Sequence, residues 1–141
     1  MVRPTLKKQI PNLQEAIKET AWNQIAEYGA PALSLRAIAR ELKITAPAIY
    51  NYFPSRDDLV TALIVDAFTS LADSQKSALE AGQGKDAPDN LVSLGIAYRG
   101  WAITYPQRYQ LIFGTPIPNY EAPEDATIPP AAWALMPLMQ T

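Results

Sequence analysis

The eight residues "TAPAIYNY", from Thr45 to Tyr52, combine a hydroxyl, small apolar side chains, one amide and two phenols. The set contains no acid and no base, so its chemistry is recognition rather than bond breaking. The amide of Asn51 offers a donor and an acceptor in one plane. Ala46, Pro47 and Ala48 are small and suit a methyl group, while the hydroxyls of Thr45, Tyr50 and Tyr52 can donate to oxygen. The cations Arg36, Arg40, Lys43 and Arg56 flank the set, of which Arg36, Lys43 and Arg56 are the candidates for contact. Carboxylate pairs occur at Asp57–Asp58 and Glu124–Asp125, the first reading as a helix start and the second as part of a loop. The chain has no cysteine and no histidine. That removes disulfides, thiolate nucleophiles, nitrogen- or sulfur-ligated zinc and histidine acid–base work. Neither an enzyme, a metal site nor a cofactor is expected.

Side chains of this kind act together only when the backbone holds them on one side. Ser34 is placed to cap a helix whose inward face is Leu35, Ile38, Ala39 and Leu42, with Arg36 and Arg40 projecting the other way. A tight break follows at "KIT". Thr45 is placed to cap the next helix, Pro47 is tolerated in its first turn, and Ile49 and Phe53 point inward. Tyr50, Asn51 and Tyr52 are left outside, and Pro54 stops the helix. Two short helices joined by a tight turn, the second with an exposed polar and aromatic edge, make a helix-turn-helix. Such a pair presents its second helix to the major groove of duplex DNA. Asn51 then suits adenine, Pro47 and Ala48 suit a thymine methyl, and Tyr50 suits a phosphate.

Around this pair the pattern is helical throughout. Leu13, Ile17, Ala21, Ile25 and Tyr28 form the stripe of a first helix ended by Gly29 and Pro31. Ser55 and Asp58 form a capping box opening a fourth helix along Leu59, Leu63, Ala67 and Leu71. "EAGQGKDAP" reads as a loop. A fifth helix from Asn90 carries Leu91, Leu94, Tyr98, Trp101 and Tyr105 on one side, and "QRYQLIF" after Pro106 adds one or two turns. "GTPIPNYEAPEDATIPP", rich in proline, reads as an extended loop before a short apolar segment broken at Pro137. The expected fold is all-α. Residues 1–54 form a helix-turn-helix head, and a fourth helix joins it to an all-helical part over residues 55–141. At 48% hydrophobic and 18% charged residues the chain can bury a core. No signal peptide and no window of about 18 apolar residues are visible, so a cytoplasmic protein is expected.

The net charge is -2, so any nucleic-acid contact must come from a local patch. The charge is uneven: residues 1–60 carry eight basic side chains against six acids, and residues 61–141 carry four against eight. The short arm "MVRPTLKKQIP" adds Arg3, Lys7 and Lys8 to the basic half.

"LSLRAIARELKITAPAIYNYFPSRDDLVTAL" resembles the DNA-binding domain of the tetracycline-repressor (TetR) family at Ile38, Ala39, Leu42, Tyr50, Phe53, Pro54, Ser55 and Leu59. "YRGWAITYPQRYQLIFGTP" more weakly resembles the WHG-type ligand and dimer domain of one branch of that family. The resemblance implies a regulator, by family default a repressor, that binds a palindromic DNA operator as a homodimer and responds to a small hydrophobic effector. It implies base reading by Arg36, Pro47, Ala48, Asn51 and Tyr52 and phosphate contact by Tyr50 and Arg56. Lys43 replaces the family's turn glycine. A non-glycine at a left-handed position costs about 1 kcal/mol, so the turn is strained or reshaped, and Lys43 is placed to add a phosphate contact. The aromatic stripe of Tyr98, Trp101, Tyr105, Tyr109 and Phe113, with Trp133, is either ordinary core or the lining of the effector site. Arg99 is either a polar anchor there or a surface charge. Members of the family usually continue through two further long helices that make the dimer. The 141 residues do not reach that far, so either the chain is shortened or its dimer is built differently. The competing reading is a small-molecule-binding helical protein without DNA regulation.

Overall fold

The computed structural model describes residues 12–82, 86–114 and 117–139, with backbone alone for Trp133 and residues 135–139. Among the described residues there are seven α-helices and no strand: α1 Leu13–Tyr28, α2 Leu35–Leu42, α3 Ala46–Tyr50, α4 Arg56–Ala81, α5 Ala87–Thr104, α6 Pro106–Phe113 and α7 Glu124–Met139. A 3-10 turn, Ala30–Ala32, links α1 to α2. The basic arm with Arg3, Lys7 and Lys8 lies outside the described residues. Two compact units divide between Val60 and Thr61, and α4 runs from the first into the second.

The first unit is built on short apolar stripes. Ile17, Ala21 and Ile25 of α1 are buried with Leu35, Ile38 and Ala39 of α2, and Ile49, Phe53, Leu59 and Val60 complete this core. Each fully buried Ile or Leu contributes about 1.5–3 kcal/mol. The stripe of α1 ends one turn sooner than its spacing suggests. Tyr28 is 67% exposed, because the chain leaves the helix at Gly29 and no element among the described residues covers the phenol. Gly29 has φ 88 and ψ 156, a backbone region open essentially to glycine alone.

Caps set the helix starts. Ala37 N–H donates to Ser34 Oγ, and Ala48 N–H to Thr45 Oγ1, both at 3.2 Å. Asp58 N–H donates to Ser55 Oγ at 3.2 Å, and the Ser55 hydroxyl donates back to Asp58 Oδ2 at 2.8 Å. Asp57 and Asp58 therefore lie in the first turn of α4, where the helix dipole favours them.

In the second unit Leu71 of α4, Trp101 of α5 and Ala134 of α7 form a buried cluster with Phe68, Ala72, Ala102 and Ile112 around it. Two segments read as loop are helical. α5 begins at Ala87 rather than Asn90, because Asp86 Oδ1 accepts from Asp89 N–H at 3.0 Å and Pro88 fits the first turn. α7 starts at Glu124 and holds Pro129, Pro130 and Pro137 inside it. Its Thr127, Pro130 and Ala134 are buried at helical spacing, so packing outweighs the lost backbone hydrogen bonds. Leu91, expected on the inner side of α5, is 53% exposed, and so are Val92, Ile96 and Ile103 on its outer face.

Candidate nucleic-acid interface

The corner between α2 and α3 is a Schellman turn. Lys43 N–H donates to the Arg40 carbonyl at 3.2 Å, and Ile44 N–H to the Ala39 carbonyl at 2.9 Å. Lys43 holds φ 59 and ψ 41, so the turn keeps its left-handed residue without glycine and is strained rather than reshaped. Ile44 is buried directly after it and locks the corner.

From that corner α3 presents one edge outward. Ile49 is fully buried and Phe53 nearly so, and these two anchors stand one helical turn apart. Helical hydrogen bonding continues past α3: Asn51 N–H donates to the Pro47 carbonyl at 3.1 Å and Phe53 N–H to the Ile49 carbonyl at 3.0 Å. Asn51 has φ -64 and ψ -30, so it extends the helical surface. Thr45, Ala46, Pro47 and Asn51 are exposed, Ala48 is half-buried, and Tyr50 and Tyr52 are 39% and 44% exposed. Large phenols left in water beside two buried apolar anchors present hydroxyls on a rigid edge.

The cations surround that edge in sequence. Arg36 is exposed in the first turn of α2, and Lys43 is exposed in the turn. Arg56 is the first residue of α4 and half-buried, and its Nε is buried with no hydrogen-bond partner among the described residues. A buried, unpartnered guanidinium N–H is costly until it meets an acceptor. A phosphate oxygen is one acceptor that would supply it.

Sequence reasoning missed Gln24. It is buried on the apolar stripe of α1, and its Oε1 accepts from Ser34 N–H at 3.2 Å. A polar residue between Ala21 and Ile25 was the available signal.

The aromatic residues of the second unit form two groups. Trp101 is in the core, and its Nε1–H donates to Ser70 Oγ at 2.9 Å. Arg108 Nη1 donates to the same oxygen at 3.0 Å, and its guanidinium lies 4.1 Å from the centre of the Tyr105 ring. Tyr98, Tyr109 and Phe113 form the other group. Their ring centres are 6.3 Å apart for Tyr98–Tyr109, 6.2 Å for Tyr98–Phe113 and 5.3 Å for Tyr109–Phe113. Burial, with Tyr109 alongside, raises the Tyr98 phenol above its usual pKa. Phe68 meets Phe113 edge-on, and all three rings keep an exposed side. Arg99 is exposed. The Trp133 side chain lies outside the described residues. Thr61 Oγ1 and the Tyr120 hydroxyl are 2.6 Å apart, joining α4 to the loop before α7.

Residues 17–63, which hold the capped helix pair and its anchors, match the family of bacterial regulatory proteins designated tetR. Residues 91–141, which hold both aromatic groups' α5 and α6 members, match a tetracyclin repressor-like C-terminal domain. The chain belongs to the TetR family. Over 115 residues it is 42% identical to the HTH-type transcriptional regulator Rv1816 of Mycobacterium tuberculosis, covering 82% of this chain and 49% of that protein. The chain thus spans about half the length of the curated relatives it matches. A crystal structure of SCO4313, a protein described as regulatory, superposes with a TM-score of 0.81 at 44% identity over 99% of this chain and 64% of the other. A Rhodococcus protein of unknown function shares the fold alone, with a TM-score of 0.76 at 22% identity over 90% of this chain and 64% of its own.

Proposed function

We propose that this TetR-family chain belongs to a ligand-responsive transcriptional regulator that reads duplex DNA through α3. The observation that carries the reading is the outward edge of Thr45, Pro47, Asn51, Tyr50 and Tyr52 on a helix pinned by buried Ile49 and Phe53. Pro47 and Ala48 meet thymine methyl groups, Asn51 pairs with adenine, and Arg36 reads a base from the start of α2. Tyr50, Lys43 and Arg56 hold phosphates and set the register. The name of Rv1816 as a transcriptional regulator supports this assignment.

In this reading residues 1–54 bind DNA and residues 55–141 bind ligand and partner. The protein acts in the cytoplasm as a homodimer and represses from a palindromic operator. Two heads then sit in successive major grooves, about 34 Å apart. The exposed side of Tyr98, Tyr109 and Phe113 suits a small hydrophobic effector. Its binding shifts α4, the helix that runs through both units, and the half-sites no longer fit both heads. By linkage, DNA weakens the effector to the same degree.

Asn51→Ala tests the base-reading assignment. Measured against a panel of single-base operator variants, it should lose its preference at one position in each half-site. A retained preference at every position would remove Asn51 from base reading.

A further inference from the structure

The start of α2 supplies only half of its own cap. Ser34 Oγ accepts from Ala37 N–H, but Ala37 stands where a capping box places a glutamate or glutamine, and its methyl returns nothing to Ser34 N–H. That donor is satisfied from another helix. Ser34 N–H donates to Gln24 Oε1 at 3.2 Å, ten residues back on α1. Gln24 is 9% exposed and stands beside Ala21 and Ile25, which are 0% and 7% exposed. An amide in such surroundings is unfavourable unless its polar atoms are paired, and an apolar side chain would fit the stripe better. The geometry therefore assigns Gln24 a task that burial alone does not require.

We propose that Gln24 is a positioning residue for the DNA-reading face. It completes the α2 cap from α1, fixes the first turn of α2 against α1, and so holds Arg36, two residues beyond Ser34, in its base-reading place. This inference rests on the DNA-binding reading above. A bond between neighbouring backbone and buried side chain constrains translation and rotation of that turn, which apolar contacts alone leave softer.

The test uses the 141-residue chain and four variants: Gln24→Met, which keeps length and loses the acceptor; Gln24→Glu, which keeps an acceptor and adds a charge favoured at the α2 N-terminus; Arg36→Ala; and Gln24→Met with Arg36→Ala. Amide hydrogen exchange is read at Ser34 through Arg36. Affinity is read by fluorescence anisotropy on a selected duplex and on a random one. Gln24→Met should speed exchange at Ser34 and weaken the selected duplex about fivefold, the scale of one neutral hydrogen bond, with little change on random DNA. The double variant should bind no more weakly than Arg36→Ala, because both changes remove one interaction. Gln24→Glu should restore both readouts. Additive losses, equal losses on both duplexes, or unchanged exchange at Ser34 would overturn the proposal. If Gln24→Met does not fold, a folded Gln24→Glu that loses selectivity overturns it, and one that keeps selectivity supports it. If the parent chain shows no selective duplex binding, the functional reading fails. The DNA-positioning role then falls with it, and exchange separates the two failures: lost protection at Ser34 through Arg36 in Gln24→Met leaves the cap from α1 standing, and unchanged protection rules out the cap as well.

Discussion

Replacing Lys43 by glycine is expected to make the chain more stable and its DNA binding weaker. Lys43 sits at φ 59 and ψ 41, where a side chain crowds the following carbonyl at about 1–2 kcal/mol. Glycine removes that crowding but gives back about 0.4–1 kcal/mol through a freer unfolded chain. The net gain is therefore about 0.5–1 kcal/mol, because the backbone bonds of Lys43 and Ile44 do not involve the side chain. With an unfolding entropy of about 2.1 cal/mol/K per residue, the melting temperature should rise by about 2–3 °C. Lys43→Ala keeps the strained backbone and removes the charge, so its melting temperature should stay near that of the parent. On the proposed reading both variants lose a phosphate contact in each head, and each should flatten the plot of log affinity against log salt by about 0.9 per bound head. Thermal unfolding by far-UV circular dichroism measures the first effect, and anisotropy titrations at several salt concentrations measure the second. A Lys43→Gly chain that melts lower than the parent would refute the strain argument. An unchanged salt slope in both variants would refute the phosphate contact.

Further tests concern the other residues that carry the account. Arg56→Ala and Tyr50→Phe should weaken selected and random duplexes alike, Arg56→Ala with a salt slope reduced by about 0.9 per bound head in anisotropy titrations. Loss on the selected duplex alone would make either residue a base reader. Thr45→Ala removes the cap of α3 and should cost about 1 kcal/mol in urea denaturation. Trp101→Ala opens the core around Leu71 and Ala134 and removes the indole N–H that donates to Ser70 Oγ beside Arg108; it should cost about 3–5 kcal/mol by the same measurement. A loss below about 1 kcal/mol would place that ring outside the core.

Where the signal is local, the sequence reports it well. Ser34, Thr45 and Ser55 are caps because a short side chain reaches the backbone three residues on, and spacing alone shows this. Ile49 and Phe53 point inward because they are four residues apart on a short helix, which leaves Tyr50, Asn51 and Tyr52 outside. The left-handed backbone at Lys43 follows from its place in the turn. What depends on other parts of the chain is harder to read. Pro129 and Pro130 argue for a loop, yet Thr127, Pro130 and Ala134 are buried at helical spacing and α7 forms. Tyr28 and Leu91 fit an apolar stripe, yet no element among the described residues covers them and they stand exposed. The aromatic stripe divides for a similar reason. Spacing puts Tyr98, Trp101 and Tyr105 on one side of α5, but Ser70 and Leu71 on α4 draw Trp101 into the core while Tyr98 groups with Tyr109 and Phe113. The bond from Gln24 to Ser34 joins two helices and has no local signature beyond a polar residue on an apolar face.

The central claim is sequence-selective binding of duplex DNA through α3. Its most direct measurement is fluorescence anisotropy of the chain on a duplex selected from a random pool and on an unselected duplex, at two salt concentrations. The account predicts tighter binding to the selected duplex, and affinities on both that fall as salt rises. Equal affinity for both duplexes, or no affinity for either, would contradict it.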